Sequence, residues 1–473
     1  MSAPDLDATT TGSLRALLAG GSLSVLLGAG ASMTVGLPDW ETLAVNLLCR
    51  SNVIDDPSVA RAFLRGQDPM LAVEAARAAV GDDAWPALLH SALYAEHTEV
   101  FPSALHRAVA RLAAERTPGS TRLFTLNFDT LLEEAVAAAL QEEGRKERPY
   151  TRASATPRGD ADSVEVHHLH GAIARDADAP ATDVILGLSD FVGLSTKSWQ
   201  FGELQQALQR GPLILVGTSY RDPDMREWIF NLTRDHPGAR VMALLSRAGM
   251  GLSRTQFTHV KGALQQQWRS VGIEPILLHD HSDSAQAIRE LSYEEASDYR
   301  PPQVRASSLW ARLCQDFERA QRLHSDALEG DRRRLAAALG ADANLTLWIA
   351  NGAGELVRWA GPDRLYKDPA HLKRIPANFD SPWIAGECLA VDDVVAREPV
   401  DDPDSTRRWR SVVASPITVA VPGGPPFATA VLSSATPSLL RDHDLDSWFE
   451  VLAGLANDWS ARLEVTDAIK SQV

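Results

Sequence analysis

The chain has 473 residues, 45% of them hydrophobic and 23% charged, and its formal net charge is −16. This length exceeds one ordinary hydrophobic core, so we expect two or three globular domains. The acidic balance argues against nucleic acid or an anionic membrane as a partner, because both attract positively charged surfaces.

Cysteine spacing and the first residues bear on zinc and on cellular location. Cys49, Cys314 and Cys388 lie far apart and form no CxxC pair, so the sequence predicts neither a zinc ribbon nor a disulfide framework. The first residues are polar and acidic, unlike a signal peptide, and no apolar run has the length of a membrane span. We therefore expect a cytoplasmic protein without zinc and without a membrane partner.

After a tail expected to be flexible over residues 1–12, residues 23–40 read LSVLLGAGASMTVGLPDW. Ser24 to Leu27 predict a buried parallel strand, and the small residues 28–32 let the backbone turn tightly beside a ligand. The next helix could point free N–H groups at a phosphate, as in dinucleotide-binding folds. Met33 replaces the third glycine of the G-x-G-x-x-G fingerprint, so plain packing glycines remain an alternative.

The following segment is expected to be helical. Trp40 to Cys49 predict one helix, and residues 57–115 are rich in Ala and Leu with few strand signals. We interpret this second stretch as a helical insertion lying over the sheet.

Two further strands are predicted to end in polar residues. RLFTL at 122–126 precedes Asn127 and Asp129, which either cap the helix that begins near Thr130 or face a ligand crevice. VEVHHL at 164–169 precedes His170, which could act as a general base near neutral pH. A His-rich metal site is the competing interpretation, but no cysteine or carboxylate lies nearby at ligand spacing.

The rest of the first domain alternates strands with helices. Val184 to Leu188 is another apolar run, and a helix is expected over Thr255 to Arg269. Further strands are predicted at Leu213–Val216, Val241–Leu245 and Ile273–Leu278. The pattern predicts an α/β domain over residues 1–295, with a doubly wound, mostly parallel sheet.

A second domain is predicted beyond a linker at residues 296–308. It begins with an amphipathic helix, Trp310 to Leu328, whose apolar face contains Leu313, Phe317, Ala320 and Leu323. Strands are expected at Thr346–Ala350, Glu355–Trp359, Val412–Val421 and Phe427–Ser433, and a last helix at His443–Leu463. We interpret residues 309–473 as an α+β domain with an antiparallel sheet.

Four motifs in this order resemble the sirtuin-like family, NAD-consuming enzymes on a Rossmann-type fold, over about residues 13–295. GAGAS followed by GLPDW resembles the family's phosphate loop, and TLNFD at 125–129 resembles its T-x-N-x-D stretch. HLHG at 168–171 resembles its active-site His-Gly pair, and GTSY at 217–220 its GTS-type turn.

The resemblance implies roles for individual residues. Asn127 would orient the nicotinamide ribose or the attacking water, and His170 would be the general base. Residues implied to bind NAD, the substrate, are Gly28, Ala29, Gly30, Ser32, Pro38, Asp39, Trp40, Asp129, Gly217, Thr218 and Ser219.

Departures from the family narrow the expected activity. Sirtuin deacylases hold zinc with two CxxC pairs, which this chain lacks, and Glu41 replaces an arginine common in deacylases. These features resemble the bacterial sirtuin-like NAD hydrolases of anti-phage defence, which release nicotinamide and ADP-ribose. A zinc-less deacylase, an ADP-ribosyl transferase and a non-catalytic sensor of NAD or ADP-ribose remain alternatives.

The second domain resembles a GAF domain over about residues 330–465. RSVVASPI at 410–417 resembles the GAF strand that ends in a Pro-Ile pair, and an unrelated α+β module is the alternative. The resemblance implies a sensor or dimerisation domain that regulates the first. We expect a homo-oligomer, with a phage-derived trigger, a small-molecule signal or a partner protein acting through this domain.

Overall fold

The computed structural model describes residues 6, 8–15, 21–94, 100–156, 162–179, 181–192, 198–218, 222–293, 297–361, 365–398 and 408–464. The chain divides into two compact units, residues 16–277 and residues 278–473 together with Met1–Arg15. The division therefore lies before residue 295, where the sequence suggested a boundary. The expected N-terminal tail is also wrong in part, because helix α1 (Ala8–Arg15) forms there and Leu14 is fully buried.

A parallel sheet organises the first unit. Its strands are β1 (Leu23–Leu27), β2 (Thr121–Thr125), β3 (Arg148–Arg152), β4 (Ser163–His168), β5 (Leu213–Val216), β6 (Val241–Ser246) and β7 (Ile273–Leu278). Their order is β3-β4-β2-β1-β5-β6-β7, and every pairing from β3 to β6 is parallel. The carboxyl ends of β1, β2, β4 and β5 thus meet at one edge, where ligands bind in such folds.

Helices alternate with most of these strands along the chain, as the sequence predicted. They are α2 (Gly30–Met33), α3 (Trp40–Arg50), α4 (Pro57–Leu64), α5 (Pro69–Val80), α6 (Trp85–Tyr94), α7 (Ala104–Glu115), α8 (Leu131–Glu142), α9 (Leu188–Val192), α10 (Trp199–Arg210), α11 (Pro223–Asp235) and α12 (Arg254–Arg269). Helices α3 to α6 share a hydrophobic core built from helix and loop residues. This cluster corresponds to the predicted helical insertion.

Three of these helices begin at the same dipeptide, Asp-Pro. The side chains of Asp56, Asp68 and Asp222 accept backbone N–H groups of α4, α5 and α11, and proline follows in the first turn. An acidic cap and a proline at the first position both favour a helix start, because the cap satisfies a free donor and proline has no N–H to satisfy.

Two segments of this unit differ from what their sequence patterns suggest. The apolar run Val184 to Leu188 forms no strand, and the N–H groups of Leu186 and Gly187 donate to the Asp190 carboxylate. Strand β3 forms where the sequence predicted no element.

The second unit contains an antiparallel sheet covered on both faces. Its helices are α13 (His281–Glu290), α14 (Pro302–Gln315), α15 (Phe317–Leu339), α16 (Ile384–Val391) and α17 (Leu445–Glu464). Its strands are β8 (Asn344–Ala350), β9 (Glu355–Ala360), β10 (Arg374–Pro376), β11 (Val395–Arg397), β12 (Ser411–Val419) and β13 (Phe427–Thr436).

The order of this sheet is β10-β9-β8-β13-β12-β11, and all its pairings are antiparallel. Helices α14, α15 and α17 contribute to the core on one face, and α16 to the core on the other. Every residue of β13 is therefore buried. This arrangement confirms the expected antiparallel α+β unit.

The predicted linker and the helix after it need correction. Residues 302–308 are helical because Pro302 occupies the first turn of α14, where proline is favoured. Arg305 is fully buried there, pairs with Glu290 and lies over the Phe427 ring. The predicted helix at residues 310–328 is divided between α14 and α15 at Asp316, and Leu323 is 53% exposed rather than part of the apolar face.

Within the described ranges, no helix is long and apolar enough to cross a lipid bilayer.

Candidate functional site

The loops after β1 and β5 pack directly against each other. The Gly30 N–H donates to the Gly217 carbonyl at 2.8 Å, and a Cβ on Gly28 would lie 2.6 Å from that same oxygen. Gly217 itself has a φ of +70°, which favours glycine. Close packing of the two backbones therefore requires these glycines.

Helix α2, which follows β1, is a single turn. The Ala31 N–H donates to the Gly28 carbonyl, and the Ser32 N–H donates to the Ala29 carbonyl. Together with Gly30, three N–H groups expected to be free for a phosphate have backbone partners. The assignment of Gly28, Ala29 and Gly30 to a pyrophosphate remains a prediction.

A buried chain of hydrogen bonds joins the loops after β1 and β2. Asn127 Nδ2 donates to Ser32 Oγ at 2.8 Å, and Ser32 Oγ donates to Asp129 Oδ2 at 2.7 Å. Because the single Ser32 proton goes to the carboxylate, the hydroxyl must accept from Asn127, and this fixes the amide orientation. Asn127 is 6% exposed, and its Oδ1 is buried with no hydrogen-bond partner among the described residues.

A second buried side chain, His168, contacts the backbone of Asn127. His168 Nδ1 lies 3.0 Å from the Asn127 carbonyl oxygen, and His168 Nε2 lies 2.8 Å from Glu133 Oε1, which also accepts from Thr151. Both partners of the imidazole only accept, so this geometry favours the doubly protonated ring. Burial opposes that charge, but Glu133, Asp129 and the Asn127 carbonyl together outweigh it, so the pKa of His168 is raised.

The adjacent His167 has the opposite character, because successive side chains of a strand point to opposite faces. Its ring stacks on Phe124 at a centroid distance of 4.8 Å. Burial, with Arg122 and Arg152 nearby, lowers the pKa of His167 well below its usual value.

His170 follows β4 at the same sheet edge. Its side chain is buried, its ring meets Phe191 edge-on at 5.6 Å between centroids, and its Nδ1 lies 3.5 Å from Asp222 Oδ2. The next residue, Gly171, has a φ of +85°, and a Cβ there would lie 2.3 Å from the Asp183 carbonyl oxygen. Only glycine therefore fits beside this histidine.

The remaining predicted site residues are Pro38, Asp39, Trp40, Thr218 and Ser219, and no contact among the described residues assigns them to a ligand. Asp39 caps α3 by accepting the Thr42 N–H at 2.8 Å, and Trp40 packs partly buried against the core of the helical insertion. Pro38 and Thr218 are half-buried, and Ser219 lies outside the described residues.

Sequence reasoning missed Glu133, His168 and Asp222. Glu133 is one of several acidic residues on its helix, and His168 stands out only as a neighbour of His170. The sequence does predict a helix start at Asp222, since Asp before Pro is typical of one, but this pattern does not predict contact with His170.

Among the described ranges, no three His, Cys, Asp or Glu side chains are grouped as a metal ion would require.

One known protein family matches part of the first unit. Residues 121–276, from β2 into β7, match the SIR2-like domain family. This part of the chain is thus sirtuin-like, which indicates a function related to NAD. The GAGAS loop lies before the matched residues. No curated protein matches the sequence.

Proposed function

We propose that the first unit is an NAD hydrolase that cleaves the bond between nicotinamide and ribose. The observation that carries this proposal is the Asn127 Oδ1, a buried acceptor whose amide is held in one orientation by Ser32 and Asp129. Such an acceptor suits a ribose hydroxyl or the attacking water, because each donates a proton.

In the proposed reaction, His170 takes a proton from water and the resulting hydroxide attacks the C1′ carbon of the ribose. The glycosidic bond breaks through an oxocarbenium-like state, and nicotinamide leaves as a neutral molecule with the bonding electron pair. The products are nicotinamide, ADP-ribose and one proton, which His170 passes to solvent. An acyl-lysine in place of water would give deacylation at the same site.

The test is incubation of the full chain with NAD, followed by chromatography of nicotinamide and ADP-ribose. We expect Asn127→Ala and His170→Ala each to lower the rate about a hundredfold or more. His90→Ala is the matched control, since His90 belongs to the helical insertion and bonds the Arg175 carbonyl. A His170→Ala variant that cleaves NAD at the wild-type rate would contradict the proposal.

We further propose that the second unit is a GAF-like sensor that regulates this activity in a homo-oligomeric anti-phage effector. The six-stranded antiparallel sheet with helices on both faces supports this interpretation. The test compares cellular NAD after phage challenge in cells with the wild-type chain and with His170→Ala. Unchanged NAD in both strains would argue against the defence role, and ultracentrifugation of the purified chain tests the oligomer.

A further inference from the structure

We propose that Asp222 is a positioning residue that holds the His170 imidazole with its proton on Nδ1, so that Nε2 is the basic nitrogen. The inference rests on the proposed function for its catalytic meaning. The tautomer of His170, however, can be measured without any cleavage of NAD.

The geometry around Asp222 gives its two carboxylate oxygens different partners. Oδ1 accepts the Met225 N–H at 2.8 Å and so fixes the side chain at the start of α11. Oδ2 lies 3.5 Å from His170 Nδ1, within ion-pair range and at the outer limit of a hydrogen bond. Catalytic hydrogen bonds are often this long before substrate binds.

Comparison with Asp68 separates this arrangement from ordinary capping. Asp68 also precedes a proline and caps its helix through Oδ1, which accepts the Met70 N–H at 2.8 Å. Its position is exposed, whereas the second oxygen of Asp222 faces a buried imidazole. Capping alone therefore explains Oδ1 of Asp222 but not the placement of Oδ2.

The carboxylate has two consequences for His170. A carboxylate can only accept, so it selects the tautomer that carries a proton on Nδ1 and leaves the lone pair on Nε2. When Nε2 takes the proton of water, the ring becomes a cation, and the adjacent carboxylate stabilises that charge.

The decisive variant is Asp222→Ser, which retains a capping oxygen but removes the carboxylate. Asp68→Ser makes the same change in the same Asp-Pro context away from the site. Asp222→Asn is a second variant of equal size, in case the serine variant folds poorly. All are studied as full chains labelled with nitrogen-15 at histidine, and His170 is assigned by the signal that His170→Gln lacks.

Nitrogen-15 spectra are recorded at a pH well above the usual imidazole range. We expect the wild type and Asp68→Ser to show the Nδ1–H tautomer of His170, and Asp222→Ser to lose it. In NAD cleavage, kcat of Asp222→Ser should fall about a hundredfold while KM changes less than about twofold, because Asp222 acts through His170 and not on substrate.

The outcomes distinguish this inference from the proposed function. A wild-type chain with the Nε2–H tautomer, or Asp222 variants that keep the wild-type tautomer, would overturn the role of Asp222 whatever the activity. A wild-type chain that shows the expected tautomer but never cleaves NAD would support the pairing and contradict the hydrolase proposal. Equal losses of kcat in Asp222→Ser and Asp68→Ser would show that Asp222 acts only as a helix cap.

Discussion

Replacing Ser32 by alanine tests the hydrogen-bond chain that orients Asn127. One hydroxyl accepts from the Asn127 amide and donates to the Asp129 carboxylate. Its removal leaves both of these groups without that partner, and they are only 6% and 4% exposed. The substitution therefore affects stability and activity through one atom.

The expected loss of stability follows from the cost of leaving buried polar groups unpaired. Each such group costs about 1–3 kcal/mol, although Asp129 keeps the Leu131 N–H on its other oxygen. We expect a loss of about 3 kcal/mol in the free energy of unfolding. For a domain of this size, that corresponds to a decrease in Tm of about 6–12 °C.

Activity should fall because the Asn127 amide can then rotate and present its NH2 group instead of Oδ1. Loss of one oriented hydrogen bond of roughly 1.4 kcal/mol corresponds to about a tenfold lower rate of NAD cleavage. Thermal unfolding and chromatography of nicotinamide measure the two effects.

Ser51→Ala provides the control for this experiment. Ser51 is also a buried serine, but its hydroxyl donates only to the Leu48 carbonyl at 3.1 Å near the end of α3. We expect its Tm and rate to remain close to those of the wild type. A Ser32→Ala variant with the wild-type Tm and rate would refute the role of Ser32 in orienting Asn127.

Three further predictions concern a glycine, a buried histidine and zinc. Gly171→Ala should unfold at lower temperature and lose activity, since its Cβ would collide with the Asp183 carbonyl. Gly202→Ala, in open space on α10, should instead raise the free energy of unfolding by about 0.5–1 kcal/mol. Equal Tm values for the two variants would contradict this prediction. Burial, aided by Arg462, lowers the pKa of His324 to about 4. In the unfolded chain the pKa of this histidine is about 6.5, so as the pH falls the unfolded state takes up the proton before the folded state does. The contribution of His324 to the free energy of unfolding is therefore complete above pH ~6.5 and falls by up to about 3 kcal/mol towards pH ~4. His324→Gln should flatten the dependence of Tm on pH in that window, and an unchanged slope would exclude His324 as its cause. The purified chain should contain no stoichiometric zinc by elemental analysis, and one zinc per chain would revive the deacylase alternative.

The strands that an apolar run marks could be predicted closely from the sequence. Leu213–Val216 is wholly apolar and buried, and its predicted and observed bounds agree. Strand β3, RPYTR, lies at the sheet edge, contains proline and has charged ends, so no apolar pattern marks it. The apolar run at Val184–Leu188 shows the converse, because Leu186 is buried although the run forms no strand.

The positions of Asn127 and His170 after strands were predictable from the sequence. Asn127 and His170 follow β2 and β4, so parallel pairing brings their positions to one edge. The partners of these residues come from distant segments, and no local pattern reports them. Ser32 illustrates the limit: its motif suggested a phosphate contact, while its hydroxyl is engaged by Asn127 and Asp129.

Helix α1 belongs to the same compact unit as residues 278–473, although residues 16–277 separate them in the chain. The first unit is therefore an insertion with two covalent connections to the other unit. A break in the backbone at only one of these two connections would leave the first unit joined to the other through the second connection. Leu6 and Leu14 are fully buried, so we expect that deletion of the first fifteen residues would lower the stability of the unit to which they belong.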